Sequence, residues 1–582
     1  MRLGSLQETA VASLPTSNAP RPAARPLSGL AAGAGLGVLA FVLFFFHLGT
    51  YGLWEPDEAR YAEIAREMLA LHNFIVPHLN YVPYIEKPPL LYWLTAFSMK
   101  LFGVNEFAAR LANAVAAFVG VLATYFFALR AFDLRRALVA GAILATSVLY
   151  AVMAQVLTTD MLLTAAVIIA MFAFFLQWRE GGAWWLVGYF VTGLAVLTKG
   201  PVGAVLPLLA VVLFLWDQRE LRAAGKRFHL VPGLIICAAV SLPWFVMITI
   251  REPGFFDFYF VGEHLRRFLE PHYSHGEPIY YYIPIIAGGF LPWSVLMPFI
   301  PWRSLPRNPA RRFCLIALST VIVLFSLANA KLVPYILPAF PFAAIVAADG
   351  LMTFGAANDG ASPSNNRFRQ QGIHAANQSG PRRLAFAPLL LALAGICVIA
   401  VASHAGHFER PYVQILRPVL YASGATAAGF GALCFAAFWT RRFASGMVML
   451  ISGAAVTLML MSYGRIMLEP TRSYATLARK IELLAPKARL ICYPRYIQSL
   501  PFYCRRRVIL VGAKTELTYG AEHASDASQF FFTRREDLIR LWKEPQASVL
   551  VIDRGALKSL EVSIGPYKII ASDAKKLALT RR

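Results

Sequence analysis

Between Trp54 and Leu90 the chain reads WEPDEARYAEIAREMLALHNFIVPHLNYVPYIEKPPL, placing Glu55, Asp57, Glu58, Arg60, Tyr61, Glu63, Arg66, Glu67, Glu86 and Lys87 in a sequence that is only 15% charged. Carboxylates interleaved with arginines and tyrosines can orient a polar substrate or stabilise a developing positive charge, and a plain connector needs none of them. We therefore expect residues 50–106 to form a catalytic loop. Pro56, Asp57 and the Ala/Glu/Arg-rich run to Leu71 predict a helix with Asp57 as its N-cap. Glu58, Tyr61 and Ala65 then share one face, and Glu63, Arg66 and Glu67 another. The competing reading has no chemistry in it: a capped amphipathic helix lying at a membrane surface.

The elements that must position these residues are membrane helices. The 582 residues are 58% hydrophobic with mean hydropathy +0.55, outside the range of soluble domains. Apolar runs long enough to cross a bilayer occur near 30–48, 107–129, 137–153, 160–177, 183–198, 201–216, 229–249, 279–300, 312–328, 333–353, 384–402, 416–438 and 443–462, about thirteen in all. The net charge of +23 does not point to nucleic acid, because the basic residues sit in small groups between apolar runs. Those groups orient the helices. Arg130/Arg135/Arg136, Arg219/Arg222/Lys226/Arg227, Arg303/Arg307/Arg311/Arg312 and Arg441/Arg442 mark cytoplasmic loops, with the N-terminus on the same side. The first loop, the start of the run at Asp160, the Lys199-Gly200-Pro201 turn, residues 251–278, the Ala330-Lys331 turn and everything after Tyr463 then face outward.

Three further regions are expected. Residues 1–29 read as a disordered cytoplasmic tail and 354–383 as a polar linker. From 464 to 582, strand patterns at 488–493, 507–511, 529–533, 548–552 and 567–571 alternate with helical patterns at 476–484 and 535–542, predicting a small soluble α/β domain. Its Cys492 and Cys504 would lie in an oxidising compartment and are candidates for a disulfide, with unpaired thiols on adjacent strands as the alternative.

Lys87, Lys199, Arg266, Arg267 and Lys331 all fall on the outer face, most beside Pro or Gly. Singly, each reads as a snorkelling side chain; together they suit a site for anions, phosphate above all. Asp160, in LTTDMLL, reads equally as a site carboxylate or a helix N-cap. Glu86 and His264 are outward oxygen and nitrogen donors for a zinc ion, without a zinc-signature spacing.

The residues W-E-P-D-E-A-R-Y, Y-I-E-K-P-P-L-L-Y-W, L-T-K-G at 197–200, E-H-L-R-R-F at 263–268 and K-L-V-P-Y-I-L-P at 331–338 resemble the bacterial lipid A aminoarabinose transferases. These are integral-membrane glycosyltransferases of the C-class fold, related to protein O-mannosyltransferases. The resemblance implies an α-helical polytopic protein that moves 4-amino-4-deoxy-L-arabinose from undecaprenyl phosphate to a lipid A phosphate on the periplasmic face of the inner membrane, giving polymyxin resistance. It needs no cofactor. In this reading Lys87 and Arg267 hold the carrier phosphate, Tyr84 and Tyr335 donate hydrogen bonds, Tyr61, Lys199 and Lys331 contact substrate, and Asp57 with Asp160 faces the sugar or acceptor. A protein O-mannosyltransferase and a lipid flippase remain as alternatives. The flippase reading calls for ionisable residues in mid-span and repeated halves, and the charges here gather at the outer ends.

Overall fold

The structure, a computed structural model, describes residues 26–266, 277–300, 302, 305, 308–356, 380–404, 411–573 and 575–581. Helices occupy the apolar runs. Among the described residues eight are by length and composition able to cross a membrane, or up to ten if each of two bent pairs is one span, and four shorter apolar helices accompany them. The chain is an integral membrane protein. Its first helix, α1, spans Pro26–Phe45, so it begins inside the tail expected for 1–29. Residues 1–25 and most of the 354–383 linker lie outside the described residues.

Both bent pairs have local causes. Between Leu134–Ala145 and Val148–Ala154, bent by 66°, the hydroxyls of Thr146 and Ser147 donate back to the carbonyls of Ala142 and Ile143, competing with the helical ladder. Between Tyr282–Gly289 and Trp293–Phe299, bent by 106°, the break falls at Pro292, which has no N–H to continue the ladder. The breaks meet: Trp293 Nε1 donates to Thr146 Oγ1 at 3.1 Å. At the end of the bundle rich in arginine, buried Asp349 accepts from Arg136 Nε at 2.8 Å and pairs with Arg311, so its charge is compensated twice.

The other end carries α2 (Asp57–Leu71), a hairpin of β1 (His78–Leu79) and β2 (Val82–Pro83), α3 (Leu90–Phe102) and the start of α4 (Glu106–Ala131). Asn80 and Tyr81 make the hairpin's two-residue turn, both with positive φ (54° and 63°), the geometry that matches strand twist. The last long helix, Phe443–Arg472, runs past the boundary expected at residue 463.

Beyond it lies a six-stranded sheet in the order β5-β4-β3-β6-β8-β7, built from β3 (Arg489–Tyr493), β4 (Val508–Val511), β5 (Phe531–Phe532), β6 (Ser548–Asp553), β7 (Tyr567–Ser572) and β8 (Lys576–Arg581). β5, β4, β3 and β6 run parallel, and β8 and β7 add an antiparallel edge. Side chains alternate across this sheet, as the strand period requires. Ile491, Ile509 and Leu550 join a core with Leu538, Trp542 and Leu560 on one face. Leu490, Cys492, Val508, Leu510, Val549 and Val551 face the other way, into a core that also holds Leu53, Ala59, Ile64, Leu79 and Tyr84 of the first loop. The sheet and the first loop therefore share one hydrophobic core.

That shared core corrects two expectations. α2 does not lie at a membrane surface: its residues from Glu58 to Met68 are buried, Glu63 and Glu67 completely, except for half-buried Arg60, because the sheet covers the face that water would otherwise solvate. Cys492 and Cys504 are both free. Cys504 ends a short helix, Ser499–Cys504, and not a neighbouring strand, and its Sγ lies 3.6 Å from the Ala478 carbonyl.

Candidate active site

Asp57 is the first residue of α2, not its cap; the cap position falls to Pro56, which has no side chain to cap with. The turn is instead fastened by Glu58, whose Oε2 accepts from the Trp54 N–H at 3.0 Å. Asp57 is thus released from a capping role, and its Oδ1 accepts from Arg60 Nη2 at 2.7 Å with 55% of its side chain exposed. Arg60 also donates from Nη1 to the Tyr84 hydroxyl at 3.3 Å, and that hydroxyl donates to Glu86 Oε2 at 2.6 Å. Asp57, Arg60, Tyr84 and Glu86 form one chain of contacts.

A second chain of contacts comes from the ends of three membrane segments. Asp160 is the second residue of the helix Thr159–Glu180, whose cap position is Thr158, so the capping reading fails for it as well. Its Oδ1 accepts from Lys199 Nζ at 2.5 Å, and Lys199 stands 4.0 Å above the ring of Tyr335. Lys331, buried four residues before Tyr335, donates to the Glu277 carbonyl at 3.2 Å.

Tyr61 joins the two. Burial pushes its phenol well above the ordinary range, and Asp57, Asp160 and Glu86 push it further the same way, against the opposing charge of Arg60. Carboxylates from two distant stretches thus act in the same direction on this one phenol. Its ring lies 5.9 Å from that of Tyr92, a buried residue of α3 whose hydroxyl makes no hydrogen bond among the described residues. Arg267 lies outside the described residues, as does the side chain of His264; Lys87 is half-buried at the mouth of α3. Among the described residues no group of three or more His, Cys, Asp or Glu side chains could hold a metal ion, and the Glu86 carboxylate is engaged by Tyr84.

Sequence reasoning missed Arg60, although its i,i+3 spacing from Asp57 is an ion-pair signal. It also missed Arg110, buried in α4 and donating to both oxygens of Glu58. An arginine inside an apolar run is itself a signal of function or structural pairing.

Residues 86–246 match the family model described as dolichyl-phosphate-mannose-protein mannosyltransferase, and residues 477–581 match the aminoarabinose transferase C-terminal domain. An undecaprenyl phosphate-alpha-4-amino-4-deoxy-L-arabinose arabinosyl transferase of Erwinia tasmaniensis is 33% identical over 336 residues, and one of Pseudomonas fluorescens is 36% identical over 316 residues. These alignments cover 54% and 52% of this chain and 60% and 54% of the relatives, so the match spans little more than half of their length. The crystal structure of ArnT from Cupriavidus metallidurans bound to undecaprenyl phosphate superposes with a TM-score of 0.81 at 25% identity, covering 96% of this chain and 98% of that one. In sequence and in fold the chain is similar to the aminoarabinose transferases. The helical bundle and the strand-bearing region of this aminoarabinose transferase-like chain are both included in that superposition, and the second family model begins within the helix Ala475–Leu484 that leads into the sheet.

Proposed function

We propose that this chain transfers 4-amino-4-deoxy-L-arabinose from undecaprenyl phosphate to a phosphate of lipid A, at the periplasmic face of a bacterial inner membrane, and so protects the cell from polymyxin and other cationic peptides. The observation that carries the proposal is the pairing of Asp57 with Arg60 and of Asp160 with Lys199, in a fold that superposes along its length on a protein solved with undecaprenyl phosphate.

The chemistry follows from charge. An acceptor phosphate is already ionised near neutral pH, and a lipid phosphate leaves without strong acid help, so proton transfer is a small part of the barrier. Bringing two phosphates to one anomeric carbon is the larger part, and fixed cations relieve it. Lys87, Arg267 and Lys331 neutralise phosphate, Tyr84 and Tyr335 donate hydrogen bonds, and Lys199 holds Asp160 beside the sugar. Asp57, exposed and steadied by Arg60, faces the sugar as its positive charge develops. Direct displacement inverts the anomeric centre. Cations of the chain supply the neutralising charge in this scheme, and transfer is expected to survive chelation of zinc. The arginine-rich loops support a cytoplasmic N-terminus and a periplasmic sheet.

The mannosyltransferase model over residues 86–246 favours one competing reading, transfer of a lipid-linked sugar to a protein hydroxyl, in which Asp57 would act as a base. The purified protein, given undecaprenyl-phosphate aminoarabinose with either lipid A or a Ser/Thr-containing peptide, separates the two. Modification of lipid A alone supports the proposal, and modification of the peptide alone overturns it.

A further inference from the structure

We infer that the sheet domain is a positioning element of the active site, fixing the loop segments that carry the site residues, with Glu55 and Asn80 as its positioning residues. This rests on the functional reading above for the identity of the site. Three contacts carry it.

The first acts on the Asp57 segment. Glu55, two residues before Asp57, accepts from the backbone N–H of Ser499 at 2.7 Å and of Gln498 at 3.2 Å, while its own N–H donates to the Arg472 carbonyl at 3.0 Å. Two residues earlier, the Leu53 N–H donates to the Tyr503 hydroxyl at 2.9 Å. At Leu53 and Glu55 the peptide entering α2 is thus fastened from residues after 471.

The second acts on the segment with Tyr84, Glu86 and Lys87. At the tip of the preceding hairpin the Asn80 side chain pairs with the backbone of Val508 on both sides, donating to its carbonyl at 2.9 Å and accepting from its N–H at 2.8 Å. The Arg507 Nε adds a bond to the Asn80 carbonyl at 3.1 Å. At the hairpin's other strand, Gly520 sits so close that a Cβ there would stand 2.5 Å from the Pro83 carbonyl oxygen.

The third acts on the segment that leads to Arg267. Tyr519, beside Gly520, packs its ring 5.0 Å from that of Phe258. One short helix, Thr518–His523, therefore lies between the hairpin and the 252–266 segment. Site residues held to a few tenths of an ångström must have their supports locked, and here the supports come from a part of the chain that contributes no residue to the chemistry.

The test uses the full-length protein in lipid nanodiscs and two readouts. In Glu55→Ala and Asn80→Ala, hydrogen exchange should quicken in peptides covering 54–67 and 78–90 while the membrane helices keep wild-type rates. The turnover number for aminoarabinose transfer should fall at least about tenfold, with KM for the carrier lipid within about twofold. Glu55→Gln, which retains an acceptor for Ser499, should recover most of the turnover. Trp542→Phe, on the far face of the sheet, supplies a control that destabilises the domain without touching the loop. Unchanged exchange in 54–67 and 78–90 overturns the inference whatever the transfer rate. Equal turnover losses in Trp542→Phe and Glu55→Ala at matched melting temperature overturn it too, by reducing Glu55 to a fold stabiliser. Quickened exchange in a protein whose wild type transfers a different sugar upholds the positioning role and overturns only the functional reading.

Discussion

Arg110 and Glu58 meet in a two-pronged pair, with Nε and Nη2 each 2.8 Å from a different carboxylate oxygen. Arg110 spends its remaining donors on the carbonyls of Leu48, Tyr51 and Gly52, and Glu58 also accepts from the N–H groups of Trp54 and Leu157. Burial is the largest single influence and would raise the Glu58 carboxyl, but the Arg110 charge and the hydrogen bonds from Arg110, Trp54 and Leu157 together outweigh it and hold Glu58 below the usual carboxylate range. Every polar atom in this buried pair is satisfied, and the pair adjoins Asp57.

Removing one partner should be far worse than removing both. Arg110→Met leaves a buried carboxylate and three orphaned carbonyls, and is expected to cost roughly 3–5 kcal/mol. Chemical denaturation of the detergent-solubilised protein measures this. A Glu58→Gln/Arg110→Met double variant should recover part of the loss, and strict additivity of the single effects would show that the two side chains do not act as a pair.

Asp57→Asn tests the site itself. Asp57 makes no capping bond, so asparagine should leave the melting temperature unchanged, while the lost negative charge should lower transfer by about a hundredfold or more. A fully active Asp57→Asn enzyme would shift the electrostatic role to Asp160.

Glu67 predicts a pH dependence. Burial and the neighbouring Glu63 carboxylate hold Glu67 well above the usual carboxylate range, against the opposing effects of the Tyr81 N–H and Arg66. Glu55 is likewise raised, to about 7, by burial outweighing its bonds to Ser499 and Gln498. Below the ordinary carboxylate range both folded and unfolded chains carry these protons. Above it the unfolded chain releases them first, so stability falls as pH rises towards and through the folded values, for Glu55 from near 4.5 to about 7. Melting temperature should therefore decline between about pH 5 and pH 8, and Glu67→Gln, which mimics the protonated side chain, should flatten the curve. A curve that rises over that interval would contradict the assignment.

The cysteines offer a chemical check. Burial pushes the Cys492 thiol up to about 12 and the Cys504 thiol up to about 11, so both should resist alkylation in the folded protein. Unfolded without reductant, the protein should take up alkylating reagent at both positions. Mass analysis showing both blocked under those conditions would reinstate the disulfide.

Much of the architecture was legible because long-range order in a membrane protein is written locally. Apolar runs located the helices, and β-branched runs located β3, β4 and β6 to within a residue or two. β8, with sequence KLALTR, carried too little strand character to stand out, and the helix Arg554–Ile564 was missed behind the stronger strand before it. Asp57, Tyr84, Glu86, Asp160, Lys199 and Tyr335 could be singled out as candidates by residue type. Their pairings could not. Asp57 and Asp160 looked like helix caps because local sequence shows the helix start but not the Arg60 or Lys199 that draws each carboxylate away from it. The burial of α2 had no local signal at all, since its cover is supplied by residues more than 400 positions later.

That separation sets an order of events during synthesis. Glu55 leaves the ribosome 443 residues before Gln498, an interval of roughly 20–90 s at about 5–20 residues per second. Throughout it the first loop lacks the cover of the sheet, and only the arrival of the sheet draws Glu55 and Glu67 inward and raises their carboxyls. A nascent or truncated chain should thus display the whole acidic motif while being catalytically silent, and competence is gained in a single late step when the end of the polypeptide folds down over its beginning.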